Sequence, residues 1–277
     1  MSSQTTNFPK LFLFERAKIM AVINTTPDSF YKNSRSQTEK DLLYLVENAL
    51  NEGADWLDIG GVSTRPGSSL VDLNEERNRV VPAIQLVKKE FPEAILSVDT
   101  FRSEIAQEAI DFGASIINDV SYGADKKLLT LCAERNVPYV LMHLRGTPDN
   151  MMQNTNYEHV VQDVYTELFN KQKELIQLGL KRLIIDPGFG FSKTLEQNYQ
   201  LMHQLDFFKN LNAPILVGIS RKSMVYKLLN TDAENALNGS TALHTIALLK
   251  GATILRVHDV REAVEVRTII EQLNKTS

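Results

Sequence analysis

Eight short apolar runs, with helical patterns between them, restrict this sequence more than any other feature. The runs cover 19–23, 56–59, 95–98, 115–117, 139–142, 183–185, 214–217 and 253–257. Between them Leu42, Leu45, Val46, Ala49 and Leu50 keep helical spacing up to Gly53, and Ile105, Ala106, Ala109 and Ile110 do the same up to Gly113. Strands that alternate with helices are joined by right-handed crossovers and lie parallel. The runs are wholly apolar rather than alternating, so both faces of each strand are expected to be buried. A closed barrel inside a ring of helices satisfies this, and the 277 residues suit such a barrel as one domain. The expectation is therefore an α/β chain forming a single (β/α)8 TIM barrel over 1–277, with its core over about 18–273.

An open, doubly wound sheet is the competing architecture, and its first strand would lead into Gly-x-Gly-x-x-Gly. Here the first run is followed by Asn24-Thr25-Thr26-Pro27-Asp28-Ser29-Phe30. The later Gly188-Phe189-Gly190-Phe191-Ser192-Lys193 lacks the third glycine, and no Gly-x-x-x-x-Gly-Lys-Ser/Thr occurs.

A formal charge of −4 argues against a nucleic-acid surface and leaves room for a local anion pocket. The polar first ten residues and the short Leu11-Phe12-Leu13-Phe14 suit neither a signal sequence nor a membrane span, so a cytoplasmic protein is expected. The single cysteine, Cys132, lies among Leu128, Leu129, Leu131 and Ala133, as a packing thiol would.

Nearly every run ends in a residue capable of specific polar contact. In order these are Asn24, Asp58, Asp99, Asn118, His143, Asp186, the run Ser220-Arg221-Lys222-Ser223, and Arg256 with His258. In a parallel barrel all these ends open on one face, the C-terminal face, where barrel enzymes place their chemistry. Any one of them can serve as a strand or helix cap, and Asp58 in particular fits that role. Together they describe a pocket, because a buried carboxylate needs a partner. A zinc hydrolase would want several histidines on neighbouring strand ends, and His143 and His258 are isolated. Acids and amides among apolar walls suit the edge of a flat heterocycle instead, the acid accepting from ring N–H groups and the amide both donating and accepting. The loop of 58–67, with Gly60, Gly61, Thr64, Arg65, Pro66 and Gly67, has the glycines and the cation to approach a phosphate.

Six stretches carry a family likeness. They are Asn24-Thr25-Thr26-Pro27-Asp28-Ser29-Phe30, Asp58-Ile59-Gly60-Gly61-Val62-Ser63-Thr64-Arg65-Pro66-Gly67, Ser97-Val98-Asp99-Thr100, Ile117-Asn118-Asp119-Val120, Asp186-Pro187-Gly188-Phe189-Gly190-Phe191 and Ser220-Arg221-Lys222-Ser223. Met142-His143-Leu144-Arg145-Gly146 and Arg256-Val257-His258-Asp259-Val260 complete the set. In this order they make the chain resemble the dihydropteroate synthase family, the folate-pathway enzymes inhibited by sulfonamides.

The resemblance implies a transferase that joins 4-aminobenzoate to (7,8-dihydropterin-6-yl)methyl diphosphate, releasing pyrophosphate. By the same resemblance, Asp186 accepts from the pterin amino group and ring N–H, Asn118 pairs with the adjacent edge, and Lys222 donates to the ring carbonyl side. Asp99 holds the remaining ring nitrogens, with Met142, Ile117 and Phe191 as apolar walls. Asn24 contributes an oxygen to Mg²⁺, Arg256 and His258 hold the diphosphate, and Thr64 lies beside it. Ser223, at the start of an expected helix, meets the 4-aminobenzoate carboxylate, and Arg65 with Pro66 belongs to a lid over that pocket. The phosphate reading of the 58–67 loop thereby narrows to a gate. A homodimer is also implied.

The match departs in places. Where the family often continues Asp-Ser-Phe with Ser-Asp-Gly-Gly, this chain has Tyr31-Lys32-Asn33-Ser34; Val62 replaces a glutamate, and Ser192-Lys193 stands for Gly-Lys. Two rivals share the motifs. A corrinoid-dependent methyltransferase would need a cobalamin module, for which 277 residues leave no room, and a non-catalytic pterin binder would have lost the Arg65, Lys222, Ser223, Arg256 and His258 that remain.

Overall fold

Strand formation follows the apolar runs almost residue for residue. The computed structural model describes residues 14–25, 35–62 and 71–276. Its strands are β1 (Lys18–Asn24), β2 (Trp56–Gly60), β3 (Leu96–Asp99), β4 (Ile116–Asp119), β5 (Tyr139–Met142), β6 (Leu183–Asp186), β7 (Leu216–Val217) and β8 (Ile254–Val257). Between and after them run α1 (Arg35–Asn51), α2 (Leu73–Glu90), α3 (Ser103–Asp111), α4 (Lys126–Arg135), α5 (Val160–Gln177), α6 (Leu195–His203), α7 (Leu237–Leu249) and α8 (Val260–Lys275). Gly53 and Gly113 follow α1 and α3 with φ of 99° and 102°, the left-handed region that lets the chain leave a helix and enter a strand.

All the ladders are parallel, in the order β6-β5-β4-β3-β2-β1-β8-β7. The barrel closes between β6 and β7 through a single bridge of Ile185 to Ile215 and the bond from Ile185 N to Pro214 O at 2.8 Å. The run expected over 214–217 is thus a strand only at its last two residues. Pro214 has no N–H to give a ladder, which explains why this seam is the thinnest part of the sheet.

Alternation along the strands sorts the apolar residues into two cores. Ile19, Ala21 and Ile23 of β1, Leu57 and Ile59 of β2 and Leu183 and Ile185 of β6 face the helices. The residues between them point inward, where Met20, Trp56, Ile116, Val140, Ile184, Leu216 and Ile254 form an apolar plug. Phe14 covers its lower end, its ring edge-on to Trp56 at 5.4 Å. Ile117, expected in a pocket wall, packs in the helix-facing core instead, because it is out of phase with the inward Ile116. Cys132 is buried on α4 as expected, and burial and Asp119 push its thiol up to about 12.

The plug fills the inside of the barrel with fully or almost fully buried apolar side chains, so shortening it should be costly. Ile184→Ala is expected to lower unfolding stability by about 2–5 kcal/mol, read as a shift of the urea midpoint with an unchanged slope.

Candidate active site

Two residues beyond five of the seven plug residues, the same inward face meets the open end of the barrel with a side chain of the candidate site. Asp58 follows Trp56 in this way, Asn118 follows Ile116, Met142 follows Val140, Asp186 follows Ile184 and Arg256 follows Ile254. The polar strand ends of the sequence therefore form a layer directly above an apolar floor.

Arg256 is the hub of this layer. Its Nε donates to Asp58 Oδ2 at 2.7 Å and one Nη2 hydrogen to Asp99 Oδ2 at 2.7 Å. Asn118 Nδ2 donates to the same Asp58 oxygen at 2.9 Å. The other Asp58 oxygen is buried without a hydrogen-bond partner among the described residues. Arg256 Nη1 likewise makes no hydrogen bond to a described residue, which leaves donors for a ligand above it. Although burial works against its charge, Asp58 and Asp99 hold the guanidinium more firmly protonated than usual. Burial pushes Asp99 up to about 7 against the pull of Arg256, with Asp58, Glu76 and Asp119 adding to the rise.

The opposite wall comes from β6 and the two loops that follow β6 and β7. Gly188 N donates to Asp186 Oδ1 at 2.7 Å. Lys222 Nζ donates to Phe189 O at 2.6 Å and lies 4.5 Å from the centre of the Phe191 ring. Burial raises the Asp186 carboxyl despite Lys222, and burial brings Lys222 down to about 8 despite Asp186. Met142 and Phe191 pack with Val120, Leu144 and Met151 as an apolar side to this wall. The structure thus brings Asp99, Asn118, Asp186, Lys222, Arg256, Met142 and Phe191 together at the C-terminal end of the barrel.

Asn24 ends β1 opposite Gly60, on the same rim. His258 follows β8, its Nδ1 and its backbone N both 3.2 Å from Ser220 Oγ. Thr64, Arg65, Pro66, Tyr31 and Lys32 lie outside the described residues.

Three readings need correction. A helix does begin at Ser223 as expected, but it is a single turn, Ser223–Tyr226, and the long helix of this segment starts only at Leu237, so the expected helix dipole at Ser223 is what is lost. His143, expected in the pocket, is fully buried with Nε2 against Glu167 Oε2 at 2.9 Å and Nδ1 against Lys193 Nζ at 3.0 Å. Arg221 grips Asp259 through Nε and Nη2, and its Nη1 reaches the carbonyls of Ala233 and Glu234, so it staples loops together.

Asp58 is what sequence reasoning undervalued. It is no cap: it holds Arg256 and Asn118 at once from full burial. The available signal was its phase, two residues after the inward Trp56 just as Arg256 is two after the inward Ile254.

With the geometry in hand, comparison with known proteins is direct. The family profile described as pterin binding enzyme matches residues 20–258. The chain is 40% identical over 258 residues to the dihydropteroate synthase of Escherichia coli strain K12, covering 91% of this chain and 90% of that protein. Among solved structures, the Yersinia pestis dihydropteroate synthase in a sulfonamide drug complex superposes with a TM-score of 0.88 at 38% identity, covering 94% of this chain and 95% of that one. The Xanthomonas albilineans dihydropteroate synthase with 4-aminobenzoic acid gives 0.86 at 37% identity, covering 94% of each chain.

Removing the hub tests the layer without any ligand. Arg256→Met leaves two carboxylates without their shared cation and is expected to cost about 3–5 kcal/mol in denaturant unfolding. The loss should be larger at pH 8 than at pH 5. Asp99, already raised to about 7, is raised further without Arg256, so the folded variant holds a proton that the unfolded chain releases and loses stability as pH rises.

Proposed function

The chain belongs to the pterin-binding enzymes and, among them, to the dihydropteroate synthases, and from that membership we propose how its barrel face carries out the synthase reaction. The observation that carries the proposal is the polar layer of Asp58, Asp99, Asn118, Asp186 and Arg256 set on an apolar floor beside Lys222 and Phe191. It is a slot for a flat ring with many hydrogen-bonding edge atoms.

Asp186 accepts from the pterin amino group and ring N–H, with one oxygen already fixed by Gly188 N. Asn118 is oriented by the donation of one N–H to Asp58, so its remaining N–H and its carbonyl oxygen are presented to the ring. Lys222 donates to the ring carbonyl side. Asp99 faces the remaining ring nitrogens with the oxygen that Arg256 leaves open. Met142 and Phe191 flank the ring.

The diphosphate lies toward the rim, within reach of Arg256 Nη1 and of His258, with Thr64 beside it. Asn24 would hold Mg²⁺ through its amide oxygen, and Mg²⁺ supplies charge neutralisation at the departing diphosphate. The donor set fits an ion that arrives with its substrate. No group of three His, Cys, Asp or Glu side chains among the described residues is arranged to hold a metal, and Mg²⁺ takes most of its ligands from water and phosphate.

The carbon–oxygen bond breaks with both electrons leaving on the diphosphate, the amine of 4-aminobenzoate then forms the carbon–nitrogen bond to the resulting pterin cation, and the proton that its nitrogen gives up is taken by the released diphosphate or by solvent. Asp99 and Asp186 offset the developing positive charge of the ring, and catalysis is mainly positioning and electrostatics. Ser223 meets the 4-aminobenzoate carboxylate through its hydroxyl, and Arg65 and Pro66 close over that substrate.

A homodimer and a cytoplasmic location complete the proposal. Exposed Ile246 and Leu249 on α7 and Ile269 on the neighbouring α8 favour a partner there. No helix among the described residues is long and apolar enough to cross a membrane.

The test is to mix the purified protein with (7,8-dihydropterin-6-yl)methyl diphosphate, 4-aminobenzoate and Mg²⁺ and follow both products. Pyrophosphate and dihydropteroate should appear one for one. Pyrophosphate released without 4-aminobenzoate, and with no dihydropteroate, would overturn the mechanism.

A second expectation concerns pH. Burial brings Lys222 down to about 8, so its donating ammonium is present below that pH and lost above it. The kcat/KM for the pterin diphosphate should fall on the alkaline side of about 8. In Lys222→Arg, whose guanidinium does not titrate in this range, that limb should disappear from the profile.

A further inference from the structure

A second lysine lies behind the pocket, and neither the reaction nor the family motifs give it a task. Lys193 ends the loop that follows β6 and is 2% exposed. Its Nζ makes three contacts of 3.0 Å, to Gly188 O, Phe191 O and His143 Nδ1. Beyond His143 the chain of contacts continues through Nε2 to Glu167 Oε2 at 2.9 Å on α5. Arg145 closes the other Glu167 oxygen, with Nε to Oε1 at 3.0 Å and Nη2 on the same atom.

Proton bookkeeping fixes the roles in this chain. Despite burial, hydrogen bonds from His143 and Arg145 hold Glu167 down at about 2, so it is a carboxylate and can only accept. His143 Nε2 must therefore carry a proton. Burial, then Lys193, brings the imidazole down to about 4, so it is neutral and its Nδ1 presents a lone pair. Lys193 must then donate to Nδ1 as well as to the two carbonyls. Burial brings Lys193 itself down to about 7 against the pull of Asp186, and it is the three acceptors at 3.0 Å, which together take three N–H bonds, that favour the ammonium form.

What the ammonium grips is the frame of the candidate pterin slot. Gly188, whose carbonyl it holds, donates through its own N–H to Asp186. Phe191, whose carbonyl it also holds, lays its ring beside Lys222, and Phe189 between them accepts from Lys222. The loop needs such a clamp because its backbone is wound tightly. Gly188, Gly190 and Ser192 all have positive φ, of 72°, 81° and 46°, and a Cβ on Gly188 would run into the carbonyl oxygen of His143.

The geometry points to Lys193 as a positioning residue for the ring substrate: a buried ammonium that, held by neutral His143, sets the loop on which Asp186, Lys222 and Phe191 depend. The inference rests on the pterin reading of the slot. It assigns Lys193 no contact with substrate, and it makes the acceptor nitrogen of His143, rather than the bulk of the imidazole, the part that matters.

Two histidine variants separate these. In His143→Asn the shorter amide places an oxygen where Nδ1 was, and that oxygen still accepts from Lys193. In His143→Gln the longer amide reaches toward Glu167 and gives up that acceptor. Binding of a pterin is measured by fluorescence titration, and KM for the pterin diphosphate and kcat by steady-state assay, on variants shown by circular dichroism to be folded. Lys193→Met and His143→Gln are expected to weaken pterin binding about 10- to 100-fold and raise that KM in step, with kcat at saturation within about threefold of the parent. His143→Asn should stay within about threefold in all three.

A folded Lys193→Met that binds pterin like the parent overturns the inference, as does His143→Asn proving as damaging as His143→Gln. If Lys193→Met does not fold, the two histidine variants decide alone. A parent protein that binds no pterin overturns the reading of the slot instead, which keeps the two failures distinct.

Discussion

A guanidinium inside a barrel is the interaction on which the open end of this molecule depends. Arg256 lies above seven apolar plug residues and reaches past β1 to Asp58 on β2 and Asp99 on β3, while Asp58 also takes a bond from Asn118 on β4. Desolvating charges costs several kcal/mol each, and the geometry offsets that cost only because each bond is short and direct. Four of the eight strands are therefore coupled through one side chain at the level where the sheet meets the pocket. Burial that would be wasteful in a structural core is what orients the polar layer here.

The layer exists because two periods coincide. Strand residues alternate between helix core and barrel interior, and on β2, β4, β6 and β8 the interior face changes from apolar to polar two residues beyond the plug, at Asp58, Asn118, Asp186 and Arg256. On β2 and β8 the helix-facing neighbours stay apolar, as Ile59 and Val257 do beside Asp58 and Arg256. Rigidity below and chemistry above are thus separated by a single step of two residues along these four strands. The thin seam at β7 does not weaken this, because Arg256 on β8 draws its partners from the far side, on β2 and β3.

Much of this was legible in the sequence. The eight runs, their parallel order and most strand ends are read directly from apolar blocks and the polar residues that stop them. What was not legible depended on phase or on long-range pairing. Ile117 and Ile116 are chemically alike, and only register decides that Ile116 faces inward. Asp58 resembles an ordinary strand cap until Arg256, 198 residues away, arrives beside it. His143 stands at a strand end like the pocket residues, yet the first position after β5 points it toward α5, where Glu167 meets it. Lys193 belongs to a motif visible in the sequence, but its three acceptors come from a folded loop and another strand end.

The charges of the slot explain why it suits a ring more than a free anion. Three carboxylates, Asp58, Asp99 and Asp186, face Arg256 and Lys222, and behind them Lys193 adds a charge that is already taken up by carbonyls and an imidazole. Burial pulls Asp99 up to about 7 and Lys222 down to about 8, so these two groups, of opposite sign, both lie close to their titration points at neutral pH. A neutral ring with N–H donors and a carbonyl returns to both groups the partners that burial removed, and so favours the charged form of each. The net effect is that the ring completes the electrostatics of the wall it binds, while an anion is served only at the rim, where Arg256 keeps a nitrogen in reserve.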